Sequence, residues 1–409
     1  MNIGFNLYLL FVVSWFLHLT SRVSWLGDIR FDFCLIFVLM VMSLAMPKNG
    51  LAKVVRGEKT HTYLAILIVY IIVSVPLVYW PGSVLRFGFL NFIKAVVFYY
   101  FSVCFIDSEA KLKRFLVVFI GCQMFRVLEP LYLHVTTGYW GAVASMGTGG
   151  WDLMDRLSGA PHDVINPNGL AFVALTAIPF LYFYARQSKM GLLLALVLIP
   201  LSLYALLLTG SRSGFLGLIV VGVGLFLTEK RKILVLIMVA VVVAAFIPML
   251  GENQKDRYSS IVNPETKNAG TVQGRLEGIR ESFQVGMHRP IFGHGVGTSR
   301  EANANFGEVD QPAHNLYAEL LQEIGVVGTL LFTLFMWAIY TNFRRTKEVL
   351  RSTSALLIGT NRSMQVWFYM NLLFSLASYG LSGYEWYLFA GLSVVVKNLG
   401  APAGPPAGE

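Results

Sequence analysis

Long apolar runs, separated by short charged connections, constrain this chain more than any other feature of its sequence. Candidate spans are Phe5–Thr20, Phe31–Met46, Tyr63–Trp80, Phe87–Ile106, Phe115–Val135, Gly169–Ala185, Leu192–Leu208, Phe215–Thr228, Leu234–Leu250, Ile324–Phe343, Met364–Leu381 and Tyr387–Leu399. A helix needs about 20 residues to cross a hydrocarbon core, and the shorter runs imply tilt or a thin bilayer. The expected fold is an all-α polytopic membrane protein with about twelve transmembrane helices. With 56% hydrophobic and 13% charged residues, the composition does not suit an ordinary soluble domain. No small-residue cleavage site follows Phe5–Thr20, so this run is expected to stay as a span rather than leave as a signal peptide. Residues 1–399 read as one integral-membrane domain and residues 400–409, built from Gly, Ala and Pro, as a disordered low-complexity tail.

The loops set the orientation. Lys48, Lys53, Arg56 and Lys59 follow the second span, and Lys111, Lys113 and Arg114 the fourth. Arg186 and Lys189 follow the sixth, Lys230, Arg231 and Lys232 the eighth, and Arg344, Arg345, Lys347, Arg351 and Arg362 the tenth. Every cluster falls on an even-numbered connection, which predicts that these loops and both termini are cytoplasmic. The opposite, extracytoplasmic side then carries the two long connections, 136–167 and 251–323. The net charge of +9 is accounted for by these loops, so no nucleic-acid partner is expected; the surroundings are membrane lipids. Cys34, Cys104 and Cys122 all lie inside apolar runs and read as buried free thiols rather than a disulfide framework.

Polar chemistry gathers at the expected outer boundary. Asp310 to Thr329 starts like a helix, with Asp310 as N-cap and Pro312 in the first turn. His314, Ala318, Leu321, Gly325 and Gly328 recur at alternating intervals of four and three and are expected on one helical face, with the imidazole at its top. A histidine at the water boundary of a membrane helix is a candidate for proton chemistry. Gly210-Ser211-Arg212-Ser213-Gly214 joins two spans in a turn too short to leave the membrane surface. Arg212 there either meets an anion or snorkels to the headgroups. Gly274-Arg275 opens an expected amphipathic helix, Arg275 to Met287, and Arg275 either meets a ligand or pairs with Glu277 or Glu281. Within the spans, Arg126 and Glu129 are three apart and share a helical face, as in a neutralised internal pair. Lys94 and Arg126 are second-tier candidates for holding an anionic donor headgroup.

Other polar residues have plainer readings. His162, His288, His294 and His314 show no i, i+4 pairing and no nearby cysteine, so no metal site is expected. Asp152, Asp155 and Asp163 read as solvated or helix-capping, and Asn166-Pro167-Asn168 as a turn and N-cap. Gly293-His294-Gly295-Val296-Gly297 lacks the lysine and hydroxyl of a phosphate loop and reads as a tight packing turn.

His314-Asn315, nine residues, then Gly325-Val326-Val327-Gly328-Thr329 resembles the signature of bacterial O-antigen ligases, whose superfamily includes polysaccharide polymerases and protein O-oligosaccharyltransferases. The resemblance extends over roughly Asn166 to Thr341, through Asn166-Pro167-Asn168, the Gly-Ser-Arg-Ser-Gly turn and Gly274-Arg275. It implies a GT-C-like fold and a metal-independent, inverting glycosyl transfer, without cofactor, on the periplasmic face of the bacterial cytoplasmic membrane. The implied donor is a glycan on undecaprenyl diphosphate, and the implied acceptor is a sugar hydroxyl, of the lipid A core in a ligase or of a growing glycan in a polymerase. His314 takes the family's base role, and Arg212 and Arg275 its diphosphate-binding roles. Ligation to lipid A core is the favoured reading and polymerisation the alternative. A lipid or polysaccharide transporter fits less well, because it would place broken helices in matching halves around a mid-membrane site.

Overall fold

The computed structural model describes residues 3–45, 57–141, 156–228, 251–259, 270–308, 310–349, 354–378 and 380–401, with isolated positions 232, 233, 241, 244 and 248. Among these residues the regular structure is all helical, with no strand. Apart from the short helical turns Leu19–Arg22 and Ser24–Asp28, the helices are α1 (Ile3–Leu17), α2 (Phe31–Ala45), α3 (Lys59–Ser74), α4 (Phe89–Phe105), α5 (Glu109–Thr137), α6 (Pro167–Ala185), α7 (Lys189–Leu208) and α8 (Arg212–Thr228). They continue with α9 (Glu252–Ser259), α10 (Gly270–Gly286), α11 (Ser299–Phe306), α12 (Leu316–Val349), α13 (Ala355–Phe374) and α14 (Tyr384–Gly400). A short turn, Pro81–Ser83, and a π-helical stretch, Val84–Gly88, lead without a break into α4.

Six helical segments, Lys59–Leu77, Pro81–Phe105, Glu109–Thr137, Pro167–Ala185, Lys189–Leu208 and Leu316–Thr346, are long and apolar enough to cross a membrane. Ile3–Leu17, Phe31–Ala45 and Arg212–Thr228 are apolar but shorter. The expected spans fall largely on these segments or on α13 and α14, except Leu234–Leu250, which lies almost wholly outside the described residues. Large apolar side chains point outward along them, with Phe37 68%, Leu196 63%, Leu227 68% and Trp337 61% exposed. Water would penalise so wide an apolar exterior, whereas lipid tails match it. The chain is a multi-pass membrane protein.

The local starts and stops follow from single residues. Ser108 caps α5, accepting from Lys111 N at 3.4 Å, and Gly138 ends that helix at φ 73°. Asn166 caps α6 as expected, accepting from Gly169 N at 2.8 Å. Ser188 caps α7 through Gly191 N at 2.9 Å. The centre of the molecule is α14, whose residues Trp386 to Val396 are all buried. It is apolar on every side, as a fully enclosed helix must be. It packs against α4, α12 and α13, while α6 fills the neighbouring position between α5, α7, α8 and α13.

Polar clasps close the two ends of the bundle. At one end, buried Glu58 accepts from Lys397 Nζ at 2.6 Å and Asn342 Nδ2 at 3.1 Å, joining the start of α3 to α12 and α14. At the other end, the long connections dock on the helix ends. Leu157 N donates to Leu208 O and Ser158 N to Trp140 O, both at 2.9 Å. The cysteines divide: Cys104 and Cys122 are buried, but Cys34 is exposed, because its side of α2 faces outward instead of into the bundle.

Candidate active site

Two helix starts at the loop-bearing end carry candidate residues. The first is the turn between α7 and α8. Gly210 takes φ 56°, a left-handed value that only glycine adopts without strain, and reverses the chain in a few residues. Ser211 Oγ then caps α8, accepting from Gly214 N at 3.1 Å, and donates to Asn168 Oδ1 at 2.8 Å. Gly214 packs so closely on α6 that a Cβ there would lie 2.8 Å from that of Ala171. Arg212, in the first turn of α8, is therefore held in a buried setting, 7% exposed. A second arginine reaches the same turn. Arg156 donates through Nε to Thr209 O at 2.7 Å and through Nη2 to Asn168 Oδ1 at 3.0 Å. Sequence reasoning gave Arg156 no role; its neighbour on the turn is 53 residues away along the chain.

The second helix start carries the histidine, and here the expected geometry is corrected. α12 begins at Leu316, not near Asp310, and Asn315 caps it through Ala318 N at 3.0 Å. Asp310 is taken instead by Arg300, which donates Nε and Nη2 to its two carboxylate oxygens at 2.8 and 2.9 Å. His314 lies just ahead of the cap, exposed, rather than on the second turn. The single face expected from His314 to Gly328 is also interrupted, because Gly325 has φ 65° and ψ −174° and breaks α12. The break releases carbonyls that the preceding loop and α3 then use. His294 N donates to Gln322 O at 2.7 Å, Gly295 N to Glu323 O at 3.0 Å, and Tyr70 Oη to Ile324 O at 2.8 Å. The Glu323 carboxylate adds Gly297 N at 2.7 Å and Ser299 N at 3.2 Å. Gly293, Gly295 and Gly297 all have positive φ, so the glycine loop is the tight packing turn expected, seated on the broken helix. Burial lowers the pKa of His294, the carbonyl of Gln322 raises it, and Arg289 and His288 lower it further, leaving it below the usual histidine range.

Three side chains of the first two turns of α12 and its cap grip the end of α13 and the segment that follows it. Asn315 Nδ2 donates to Leu376 O and Tyr317 Oη to Leu372 O, each at 2.9 Å, while Glu319 Oε2 accepts from Gly380 N at 2.6 Å and Leu381 N at 3.1 Å. That segment forms one wall of a cleft of about 120 Å³; Gly169 and Phe172 of α6 form the other. The cleft is lined by Gly169, the residue after Asn168 of the Arg212 turn, and by the segment that Asn315 grips.

The remaining candidates are placed elsewhere. Arg126 does not pair with Glu129. It donates to Asp163 through Nε at 2.6 Å and Nη2 at 3.2 Å, and Glu129 pairs with Arg22. The i, i+3 spacing allowed the pair, but partners from other segments offered better-directed bidentate geometry. Asp163, expected to be solvated or a cap, is 1% exposed and also bonded to His18 Nε2 at 3.1 Å. Burial raises its pKa, but the bonds from His18 and Arg126 outweigh that and hold it at about 2. Lys94 Nζ lies 4.6 Å from the Phe33 ring centroid. Arg275 is on α10, and its side chain lies outside the described residues, as do Asp152 and Asp155. Among the described residues no three His, Cys, Asp or Glu side chains gather in a metal-binding group.

Residues 197–333 match a protein-family model described as O-antigen ligase. No curated protein matches the chain. The matched stretch holds Arg212, Arg275, His314 and the broken helix, whereas Asn168 and the 375–385 wall lie outside it. Residues 197–333 thus form an O-antigen ligase-type region within a multi-pass helical body, a match that supports the superfamily of O-antigen ligases and polymerases.

Proposed function

We propose that this protein transfers a glycan from undecaprenyl diphosphate to an acceptor hydroxyl of lipid A core, at the outer face of the bacterial cytoplasmic membrane. The observation that supports this reading is that the Arg212 turn bonds Asn168, beside cleft residue Gly169, while Asn315, next to His314, bonds Leu376 in the stretch that forms the facing wall. Arg212 sits at the N-terminus of α8, where the helix dipole disfavours a cation and favours an anion. A diphosphate bound there would meet a guanidinium and the positive end of the helix dipole together. Arg275 is the second diphosphate ligand in this reading.

In the reaction, the acceptor oxygen attacks the anomeric carbon as the bond from that carbon to the diphosphate oxygen breaks. The hydroxyl proton passes to His314, and the bonding pair leaves with undecaprenyl diphosphate, which gains a negative charge that the arginines offset. One direct displacement inverts the anomeric configuration. The arginines take the place that a divalent ion fills in metal-dependent transferases.

The test is transfer by purified protein in the presence of a strong chelator, with lipid-linked glycan as donor and lipid A core as acceptor. Glycan joined to lipid A core supports the reading. Lengthened lipid-linked glycan, formed whether or not lipid A core is present, would instead make the protein a polymerase, and activity that returns only with manganese or magnesium would remove the arginine-for-metal argument.

A further inference from the structure

The cleft wall that lies outside the family-matched stretch has its own chemistry. Asn371 and Ser375, at the end of α13, are 5% and 4% exposed, and Glu385 stands in the first turn of α14. All three line the cleft, over an apolar floor that includes Phe172 and Trp386. The Glu385 carboxylate folds back over the Gly380–Gly383 turn, so that a Cβ at Gly383 would lie 3.2 Å from its Oε2. Gly383 N donates to Gly380 O at 2.9 Å, and Glu319 holds the same turn from below through Gly380 N and Leu381 N. The carboxylate bonds the Tyr384 side chain and its own backbone N–H, which uses only part of its four or so acceptor positions. It lines the cleft beside an amide and a hydroxyl.

We propose that this wall is the subsite for the first sugar of the donor, the ring bonded directly to the diphosphate, with Glu385 and Asn371 as its specificity-determining residues. The inference rests on the transfer reading above. In an in-line displacement the first ring must sit between the leaving diphosphate and the attacking hydroxyl, and the cleft adjoins both the Asn168 partner of the Arg212 turn and the segment gripped by Asn315, the neighbour of His314. A planar carboxylate and a planar amide over an aromatic floor match a pyranose, which presents paired hydroxyl or acetamido groups at its edge and C–H groups on its face.

The experiment compares two probes on the full-length protein in detergent: undecaprenyl diphosphate without sugar, and undecaprenyl diphosphate carrying the native glycan isolated from the source cells. Glu385→Gln and Asn371→Ala are expected to bind the bare lipid diphosphate within twofold of wild type. Each should bind the glycan-bearing donor about tenfold more weakly, the loss of one well-formed hydrogen bond. Equal weakening of both probes would show that the residues only support the fold, and no weakening of either would show that the sugar lies elsewhere; each result overturns the subsite. Wild-type protein that binds neither probe would overturn the transfer reading, and the subsite with it. Wild-type binding with no discrimination by the variants would overturn the subsite alone.

Discussion

The Arg126 guanidinium, deep in α5, donates to the Asp163 carboxylate at 2.6 Å and so ties a membrane helix to the connection that leads into α6. Both side chains are nearly enclosed, at 7% and 2% exposure, so removing one partner strands the other's charge. Asp163→Asn is expected to cost about 3–5 kcal/mol and to lower the thermal unfolding midpoint of the detergent-purified protein. The folded-state pKa of Asp163, about 2, lies below its ordinary value of 3.8. The pair's contribution is therefore complete above the ordinary aspartate range and is lost as pH falls toward about 2. The stability difference between wild type and Asp163→Asn should be constant from neutral pH to about pH 5 and shrink below that. A difference that shrinks near neutrality would assign the stabilisation to another group.

Gly325 should tolerate no side chain. Its φ and ψ lie in a region open essentially to glycine alone, and an added Cβ would stand 2.2 Å from the Ile291 carbonyl oxygen. Gly325→Ala is expected to cost more than the roughly 1–3 kcal/mol of backbone strain, because the glycine loop must also unseat. Gly278→Ala, on α10 with nothing within 4 Å of the new methyl, should leave stability unchanged or raise it slightly. Thermal unfolding of both variants checks the contrast, and a harmless Gly325→Ala would show that the broken helix is not needed.

The sidedness implied by the basic loops is open to labelling. In a protein without native cysteines, single cysteines at His162 and Ala304, both exposed at the loop-bearing end, should react with an impermeant thiol reagent added to spheroplasts. Cysteines at Lys113 and Ser188, exposed at the opposite end, should react only after lysis. The reverse pattern would put the cleft on the cytoplasmic side, away from the proposed acceptor.

The membrane helices were legible because apolar length reports directly on a bilayer. The Asn166 cap and the tight glycine turn were legible because their cause is local. What escaped was set by distant partners. Asp310 was a plausible cap until Arg300 claimed it, and Arg126 a plausible mate for Glu129 until Asp163 arrived from another segment. The break at Gly325 was hidden in a periodic pattern, since a glycine that fits a helical face by spacing can equally end a helix when a loop takes its carbonyls. Arg156 and Glu385 carried no motif, and only the docking of the loops brings them to the cleft region.

The most direct test separates His314 from Arg212 by the kind of damage each substitution does. His314→Ala, Arg212→Lys and Arg212→Ala are purified in detergent, and lipid-linked donor binding is measured beside single-turnover transfer to the acceptor. The account predicts that His314→Ala binds donor as wild type does while transfer falls by roughly 10²–10⁴-fold, the loss typical of a missing general base. Arg212→Ala should lose donor affinity, and Arg212→Lys should also lose much of its transfer, because an ammonium cannot replace the planar fork that grips phosphate oxygens. Near-normal transfer by His314→Ala, or a loss of donor binding as severe as that of Arg212→Ala, would contradict the base role.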